Sequence, residues 1–172
     1  GGVDWSGTVY PTHAVELARQ AAVDGYDLVI AMGGDGTVHE VVNGLMQVPA
    51  GVRPALGVVP LGSGNDFAHA IGVPVQADKA LAHALNSPSS AVDIGLMIGE
   101  NGRKEYFDNS LGVGFDAVVT IRSHKLPVLR GFIMYLAAVV QTILLNYDAA
   151  SLNIDNNGAT LQEKSLMFAI CN

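Results

Sequence analysis

A short apolar run followed at once by a glycine-rich turn constrains this chain more than any other feature. Residues 28–31 are uninterrupted apolar sequence, which is typical of a strand buried on both faces of a parallel sheet. The turn Met32-Gly33-Gly34-Asp35-Gly36-Thr37 comes next, and a helical pattern over residues 38–47 follows it. The order strand, glycine turn, helix predicts a ligand site at the carboxyl end of the strand.

The composition of the turn favours a phosphate ligand. Gly33, Gly34 and Gly36 can take positive φ and have no Cβ, so a polyphosphate could approach backbone N–H groups at the start of a helix. Asp35 would repel that anion unless a divalent cation lies between them, or unless it takes a proton from a substrate hydroxyl as general base. Either role indicates phosphoryl transfer.

Other known glycine turns fit the sequence less well. The Walker A motif needs Gly-Lys-Ser/Thr, which does not occur here, and the third glycine of the dinucleotide fingerprint is replaced by His39. Thr37 and Glu40 match the capping-box pattern, so a purely structural helix start is the alternative.

Alternating helices and strands surround this unit. Amphipathic patterns predict helices over residues 12–22 and 77–85, and residues 55–59 predict the next strand. The loop Pro60-Leu-Gly-Ser-Gly-Asn65 leaves this second strand as the glycine turn leaves the first, so the two loops should face each other across one crevice. Asn65 or Asp66 could instead simply cap a short helix over residues 67–71.

The pattern changes after Ser90. Residues 91–99, an Asn101-Gly102 turn and residues 104–113 predict a hairpin, and residues 151–170 repeat this arrangement around a second Asn-Gly turn. We therefore expect an α/β fold with a nucleotide-binding domain of parallel-sheet type over residues 1–90. Residues 91–172 should begin a β-rich domain of antiparallel, sandwich-like type.

Composition limits the partners. The net charge of −7 and the pI near 5.0 argue against a nucleic-acid partner and against electrostatic docking on anionic lipid. Within the apolar segment 126–147, the central run from Gly131 to Leu145 has 15 residues, short of the roughly 20 that a membrane span needs, and Gln141 interrupts it. A core helix is the expected structure, with docking on a membrane surface as the alternative. The five histidines have no metal-ligand spacing.

Two motifs resemble a known family. Gly33–Thr37 with the following His39–Leu45, and then Pro60–Ala68, resemble the diacylglycerol kinase catalytic domain family, which includes bacterial diacylglycerol kinases, sphingosine kinases and ceramide kinases. NAD kinases share the first motif, and the second favours the lipid branch. The segments 92–95 and 109–117 are also similar to family motifs, so the resemblance extends from about residue 12 to the end.

The resemblance implies an ATP-dependent lipid kinase that uses Mg²⁺ and transfers the γ-phosphoryl group to a lipid hydroxyl. Diacylglycerol is the expected acceptor and phosphatidic acid the product. The alternatives are a soluble-substrate kinase of the NAD kinase type and a non-catalytic nucleotide- or lipid-binding regulator. The resemblance further implies a cytoplasmic enzyme in peripheral contact with the inner membrane face, and it is compatible with a homodimer. It also implies that two family features are missing here, namely the first strand with its nucleotide loop and a later acidic residue.

Candidate site residues follow from the turn and from the resemblance. Asp35 is the candidate catalytic base, and the resemblance implies that Asp35, Asp66 and Asp93 join through water to Mg²⁺. It also implies that Asp116 contacts the lipid head group and that Arg122 and Arg130 contact phosphate, unless the two arginines only belong to a solvated helix face. The predicted nucleotide contacts are Gly33, Gly34, Asp35, Gly36, Thr37, Glu40, Gly62, Ser63, Gly64 and Asn65.

Overall fold

The computed structural model describes residues 2–115, 117 and 149–172, and these residues have the expected α/β organisation, with a parallel strand pair first and antiparallel pairs later. The helices are α1 (His13–Val23), α2 (Asp35–Leu45), α3 (Asp66–Ala70) and α4 (Ala77–Asn86). The strands are β1 (Leu28–Gly33), β2 (Ala55–Pro60), β3 (Gly95–Ile98), β4 (Lys104–Phe107), β5 (Ser110–Gly114), β6 (Ala150–Asn156), β7 (Ala159–Ser165) and β8 (Met167–Cys171).

Several predictions lie outside the described residues. They are the roles of Asp116, Arg122 and Arg130 and the apolar segment 126–147. Within the described part of the chain, no helix combines the length and the apolar character needed to cross a bilayer.

The first two strands fix the position of both loops. β1 pairs with β2 in parallel, from Leu28 opposite Ala55 to Gly33 opposite Pro60. The backbone N–H of Leu61 donates to the carbonyl of Gly33 at 2.8 Å, which extends the pairing by one step. Because α2 connects two parallel strands, the glycine turn and the loop after β2 leave the sheet side by side at the carboxyl ends.

Small residues let α1 pack closely against α2. Ala14, Ala18 and Ala22 recur at helical spacing on α1 and are all buried. On α2 the close contact is made by Gly44, which lies against the carbonyl oxygen of Val15. The remaining core of the first unit is aliphatic with one aromatic ring, and consists of Ala31, Val38, Val41, Val42, Leu45, Val48, Val58, Val59, Phe67, Ala68, Val73 and Ala80.

Gly44→Ala should destabilise this helix pair. The added Cβ would collide with the carbonyl oxygen of Val15 and lie 2.9 Å from the Cβ of Ala18, and a helix backbone cannot yield locally. We expect a loss of about 1–3 kcal/mol in the free energy of unfolding, the usual cost of overpacking, measured by urea denaturation. Gly51→Ala is the control, because nothing lies within 4 Å of its Cβ position. Equal urea midpoints for the two variants would show that the helices can separate freely.

The chain divides by its own contacts into two compact units, residues 1–109 with Asn172, and residues 110–171. This division falls later than the predicted boundary after Ser90, since the hairpin β3–β4 belongs to the first unit. The side chain of Asn43 on α2 explains the difference. Its Oδ1 accepts from the N–H of Tyr106 at 3.0 Å and its Nδ2 donates to the carbonyl of Tyr106 at 2.9 Å, so it pairs with β4 as a neighbouring strand would.

The second unit contains two antiparallel pairs within the described residues, β5 with β8 and β6 with β7. The predicted strand over residues 104–113 is therefore two strands, β4 and β5, with different partners. Asn157 and Gly158 both have positive φ in the turn between β6 and β7, as a tight hairpin turn requires. The second arm of this hairpin is also shorter than predicted, because β7 ends at Ser165 and β8 pairs elsewhere.

Candidate active site

The glycine turn (residues 33–37) and the second loop (residues 61–65) touch through two glycines. A Cβ on Gly62 would lie 2.5 Å from the Cα of Gly34, and a Cβ on Gly34 would lie 3.0 Å from the Cα of Gly62. Neither position therefore has room for a side chain. The prediction that the two loops face each other is confirmed at the level of backbone contact.

The sequence interpretation of the glycines needs a correction. None of Gly33, Gly34 and Gly36 has a positive φ, and Gly34 is extended with φ −93° and ψ −171°. What these positions need is the missing Cβ rather than left-handed backbone. At Gly33 an added Cβ would collide with the side chain of Thr37, whereas the space above Gly36 is open.

Asp35 links the two loops. One carboxylate oxygen accepts a hydrogen bond from the N–H of Asn65 at 2.7 Å, and the other accepts from the N–H of Phe67 at 3.3 Å. The predicted capping of α3 by Asn65 or Asp66 is wrong, because neither side chain makes a cap hydrogen bond. The hydrogen-bond acceptor at the start of α3 is instead the carboxylate of Asp35, which lies in the glycine turn.

Asn65 holds the second loop in shape. Its backbone is left-handed with φ 59°, a conformation that Asn tolerates better than most residues. Its side chain accepts from the N–H of Gly62 at 2.9 Å and donates to the carbonyl of Gly62 at 2.8 Å. The loop is therefore pre-shaped by its own residues, and Asp35 then fixes it to the glycine turn.

The capping box predicted from Thr37 and Glu40 does not form. The helix α2 begins two residues before Thr37, at Asp35, because the carbonyl of Gly34 already accepts from the N–H of Thr37 at 3.0 Å. The Glu40 carboxylate instead accepts from the N–H groups of Thr12 and Ala14, at 2.9 and 3.2 Å, and so caps α1. Its predicted contact with nucleotide stays a prediction.

Several backbone donors at the two loops have no acceptor in the described part of the chain. In the glycine turn they are the N–H groups of Gly34, Asp35 and Gly36, and in the second loop those of Ser63 and Gly64. Neither loop contains a Lys or Arg residue. An anion bound here would be held by backbone N–H groups and by the positive end of α2, as at other helix N-termini.

The three aspartates of the predicted Mg²⁺ site do not come together as direct ligands of one ion within the described residues, and their predicted contact through water stays a prediction. Asp35 and Asp66 both lie close to Gly64, whose Cβ position is 2.9 Å from an Asp35 oxygen and 3.7 Å from an Asp66 oxygen. Asp93 is exposed and precedes β3 rather than lying in it. No group of three His, Cys, Asp or Glu side chains in the described ranges is close enough to hold an ion. These carboxylates do not fit a preformed Mg²⁺ cage.

Sequence reasoning missed a cluster around His39. This side chain lies one helical turn after Asp35, with its Nε2 3.2 Å from a Glu105 oxygen and its Nδ1 3.9 Å from an Asp108 oxygen. The second oxygen of Glu105 contacts Arg103 at 2.6 Å. No local sequence pattern predicts this cluster, because it forms only where Asn43 holds β4 against α2.

Asp108 is the buried charged residue of this cluster, with a side chain only 8% exposed. Burial raises the pKa of the Asp108 carboxyl above its ordinary value of 3.8, and the nearby charge of Asp35 raises it further. Its own backbone N–H and His39 act in the opposite direction without cancelling the effect of burial. The fold therefore holds a carboxylate where its charged form is disfavoured.

This burial predicts that Asp108→Asn stabilises the protein at neutral pH. Because the folded-state pKa is raised, the contribution of Asp108 to stability is fully present below pH 3.8 and is lost as the pH rises through the folded-state pKa. We expect the melting temperature of the Asn variant to exceed that of the wild type by about 2–4 °C at pH 7, which corresponds to roughly 1 kcal/mol. Calorimetry should show the difference shrinking towards pH 3.8. A less stable variant at pH 7 would mean that ionised Asp108 is stabilising.

Comparisons with known proteins identify the family of this site. The model of the diacylglycerol kinase catalytic domain matches residues 2–97, which include both loops. A probable lipid kinase, YegS-like, from Chromohalobacter salexigens is 47% identical over 118 residues, covering 69% of this chain and 35% of that protein. The diacylglycerol kinase of Bacillus subtilis is 36% identical over 159 residues, covering 91% of this chain and 50% of the relative.

Solved structures agree in fold. The crystal structure of a diacylglycerol kinase from Bacillus anthracis superimposes with a TM-score of 0.66 at 24% identity, covering 94% of this chain and 48% of that one. The chain thus spans half or less of the length of these relatives. The family match, which contains the glycine turn, Asp35 and the second loop, shows that the chain belongs to the diacylglycerol kinase catalytic domain family.

Proposed function

We propose that this chain is part of an ATP-dependent lipid kinase that transfers the γ-phosphoryl group to a lipid hydroxyl, with diacylglycerol as the expected acceptor and phosphatidic acid as the product. The observation that carries the proposal is the contact between the glycine turn and the second loop. Two glycine-containing loops touch at Gly34 and Gly62, Asp35 locks them together, and backbone donors of both loops have no acceptor among the described residues.

The loops supply what phosphoryl transfer demands of a protein. The reaction needs little covalent chemistry from side chains, so catalysis depends on holding the phosphates in line with the attacking oxygen and on neutralising charge. The open N–H groups of Gly34 and Gly36 and the positive end of α2 would bind phosphate oxygens of ATP. A Cβ at position 34 or 62 would separate the loops.

Asp35 has two consequences for the reaction. It fixes the second loop through Asn65 and Phe67, which sets the distance between the two sets of phosphate donors. It also places a carboxylate beside the phosphates, where it would receive the acceptor hydroxyl as general base. Both consequences make Asp35 the residue on which turnover depends most.

Mg²⁺ is proposed as the partner of the nucleotide phosphates. Because the described carboxylates form no ready-made cage, the ion would arrive with ATP and keep most of its waters, as Mg²⁺ commonly does. Asp66, exposed beside the second loop, and Asp35 are the nearest carboxylates that could contact those waters. Bound there, Mg²⁺ would neutralise phosphate charge.

The names of the relatives favour a lipid acceptor over a soluble one, because the matched proteins are called diacylglycerol kinase or lipid kinase. Diacylglycerol resides in the bilayer, so we propose that the whole protein meets its substrate at the inner membrane face from the cytoplasm. This contact would be peripheral.

The test is a transfer assay with the whole protein and ATP labelled at the γ-phosphate. Vesicles containing diacylglycerol, vesicles containing sphingosine or ceramide, and soluble NAD should be offered separately, each with and without EDTA. We expect label in phosphatidic acid, and none when Mg²⁺ is removed. Label in NAD alone would assign a soluble-substrate kinase, and nucleotide binding without any transfer would assign a regulator.

A further inference from the structure

The side of β2 that faces away from β1 is an open sheet edge in the described part of the chain. The backbone N–H groups of Ala55 and Leu61 both donate towards β1, so the odd-numbered residues of β2 face that strand. Backbone direction alternates along a strand, and Leu56 and Val58 therefore direct their N–H and C=O groups the other way. No described strand pairs with that edge, and these groups have no hydrogen-bond partner among the described residues.

A cavity of about 350 Å³ lies along this edge, with Leu56 and Val58 in its wall. Its volume is at the lower end of the roughly 300–1,000 Å³ that small-molecule sites occupy. Apolar side chains, among them Phe67 of α3, form much of the wall. The cavity reaches the first residues of the two strands, Leu28 and Ala55, whereas the glycine turn and the second loop leave the sheet at the carboxyl ends. It is therefore separate from the candidate active site.

The charge of the cavity wall differs from that of the chain as a whole. The chain has 16 acidic residues and a net charge of −7, yet the described residues that line the cavity include Arg53 and no Asp or Glu. Arg53 donates from Nε to the carbonyl of Leu45 and from Nη2 to that of Val48, both at 3.0 Å, and its other N–H groups are left for a ligand. It forms no ion pair with a described carboxylate. The wall thus favours an anionic group.

The open edge and the arginine together define the chemistry of a ligand. Val58 presents a donor beside an acceptor, and a nucleobase edge presents the complementary pair, as adenine does with N7 and its amino group. An acyl chain would cover these polar groups without pairing them, which is costly, and an uncharged peptide strand would leave the charge of Arg53 unused. Arg53 and Leu56 are three residues apart, roughly 10 Å along an extended chain, a span that a nucleotide bridges between base and phosphate.

We propose that this cavity is a second nucleotide site, which binds a purine nucleoside monophosphate with its base paired to the open edge of β2 and its phosphate held by Arg53. One guanidinium matches one phosphate group, which it can bind through two parallel N–H groups. Ser89 and Ser90 also line the cavity and would donate hydroxyl hydrogen bonds to the phosphate or the ribose. Water fills these positions in the empty cavity, and the nucleotide replaces its hydrogen bonds.

The first test is titration calorimetry of the whole protein with AMP, while Mg²⁺ and a non-hydrolysable ATP analogue saturate the glycine turn and the second loop. We expect AMP to bind at one further site. Adenosine, which lacks the phosphate, and ribose 5-phosphate, which lacks the base, should each bind at least about 10-fold more weakly, because each loses hydrogen bonds of the other half. AMP binding that the ATP analogue abolishes would place AMP at the two loops and overturn the proposal.

Arg53→Met removes the charge and keeps an unbranched side chain. The affinity for AMP should fall by about 10- to 100-fold, the effect of losing hydrogen bonds to a charged group, and the affinity for the ATP analogue should not change. Arg19→Met is the matched control, because Arg19 is exposed on α1. A thermal melt checks folding, since Arg53 also binds two backbone carbonyls. Unchanged AMP affinity in folded Arg53→Met would contradict the proposed phosphate contact.

An NMR measurement on the wild type needs no variant that must fold. The amide signals of Leu56 and Val58 should shift when AMP saturates the whole protein, and their amide protons should then exchange more slowly with solvent. Saturation that leaves both signals unmoved would disprove the pairing with β2. Amide protons that already exchange slowly without AMP would show that another segment of the whole protein covers this edge, and the proposal would fail.

Discussion

Replacing Asp35 by Asn should lower the turnover of the whole protein at least about 100-fold, the low end for loss of a positioned base. The structure adds a second reason for a large effect. Both carboxylate oxygens accept backbone hydrogen bonds, from Asn65 and Phe67, and an amide can accept at only one of these places while its NH₂ group faces a donor at the other. The second loop should therefore loosen as the charge is lost.

Steady-state kinetics with ATP and diacylglycerol vesicles measure this change. Asp78→Asn on α4 is the matched control, because Asp78 is exposed and lies in a different element. A thermal melt of each variant separates lost catalysis from lost folding. Near-normal turnover in Asp35→Asn would remove Asp35 from both of its proposed roles.

Gly62→Ala is the second substitution with a large expected effect. Its Cβ would lie 2.5 Å from the Cα of Gly34 and 2.9 Å from the Oδ1 of Asn65, so the two loops would have to move apart. A displacement of about 1 Å at a catalytic centre can cost about 100-fold in rate, and we expect a loss of that order here. The affinity for ATP should fall as well, because donors from both loops would no longer converge.

Titration calorimetry with ATP and initial-rate kinetics together report this effect. Gly51→Ala provides the control for a glycine whose Cβ position is open and which lies away from both loops. If Gly62→Ala binds ATP as tightly as the wild type and turns over normally, the contact between the loops has no bearing on the site.

The sequence predicted the elements that local patterns control. Helical periodicity located α1 and α4, and the apolar runs located β1 and β2, each within a residue or two. α1 buries the stripe Ala14, Ala18 and Ala22, whereas α4 buries only Ala80, so the apolar periodicity of α4 located the helix without reporting its burial. Of the two strands, β2 is mostly buried and β1 is mostly half-buried. The glycine turn and the second loop were recognisable because each follows directly on a run of apolar residues.

Predictions failed where a partner distant in sequence decides the local structure. Thr37 and Glu40 have the spacing of a capping box, yet Glu40 is used by α1. Asp66 looked like a helix cap, whereas the acceptor at the start of α3 comes from Asp35 in the other loop. In both cases the competing hydrogen bond joins residues about 30 positions apart, which sequence spacing cannot show.

One side chain determines both where the two units divide and how the His39 cluster forms. Asn43 pairs with the backbone of Tyr106, 63 positions away, and this contact assigns the hairpin β3–β4 to the first unit. It also buries Asp108 next to His39. An isolated Asp in the middle of a predicted strand carries no local sign of burial, so sequence reasoning had no basis for selecting it.

An NMR titration of the whole protein with Mg²⁺ and a non-hydrolysable ATP analogue tests the central claim most directly, because it observes the backbone donors themselves. The account predicts that the amide signals of Gly34 and Gly36 in the glycine turn and of Ser63 and Gly64 in the second loop shift together with one affinity, and that Asp35→Asn uncouples the two sets. Saturable nucleotide binding that leaves these four amide signals unmoved would contradict it.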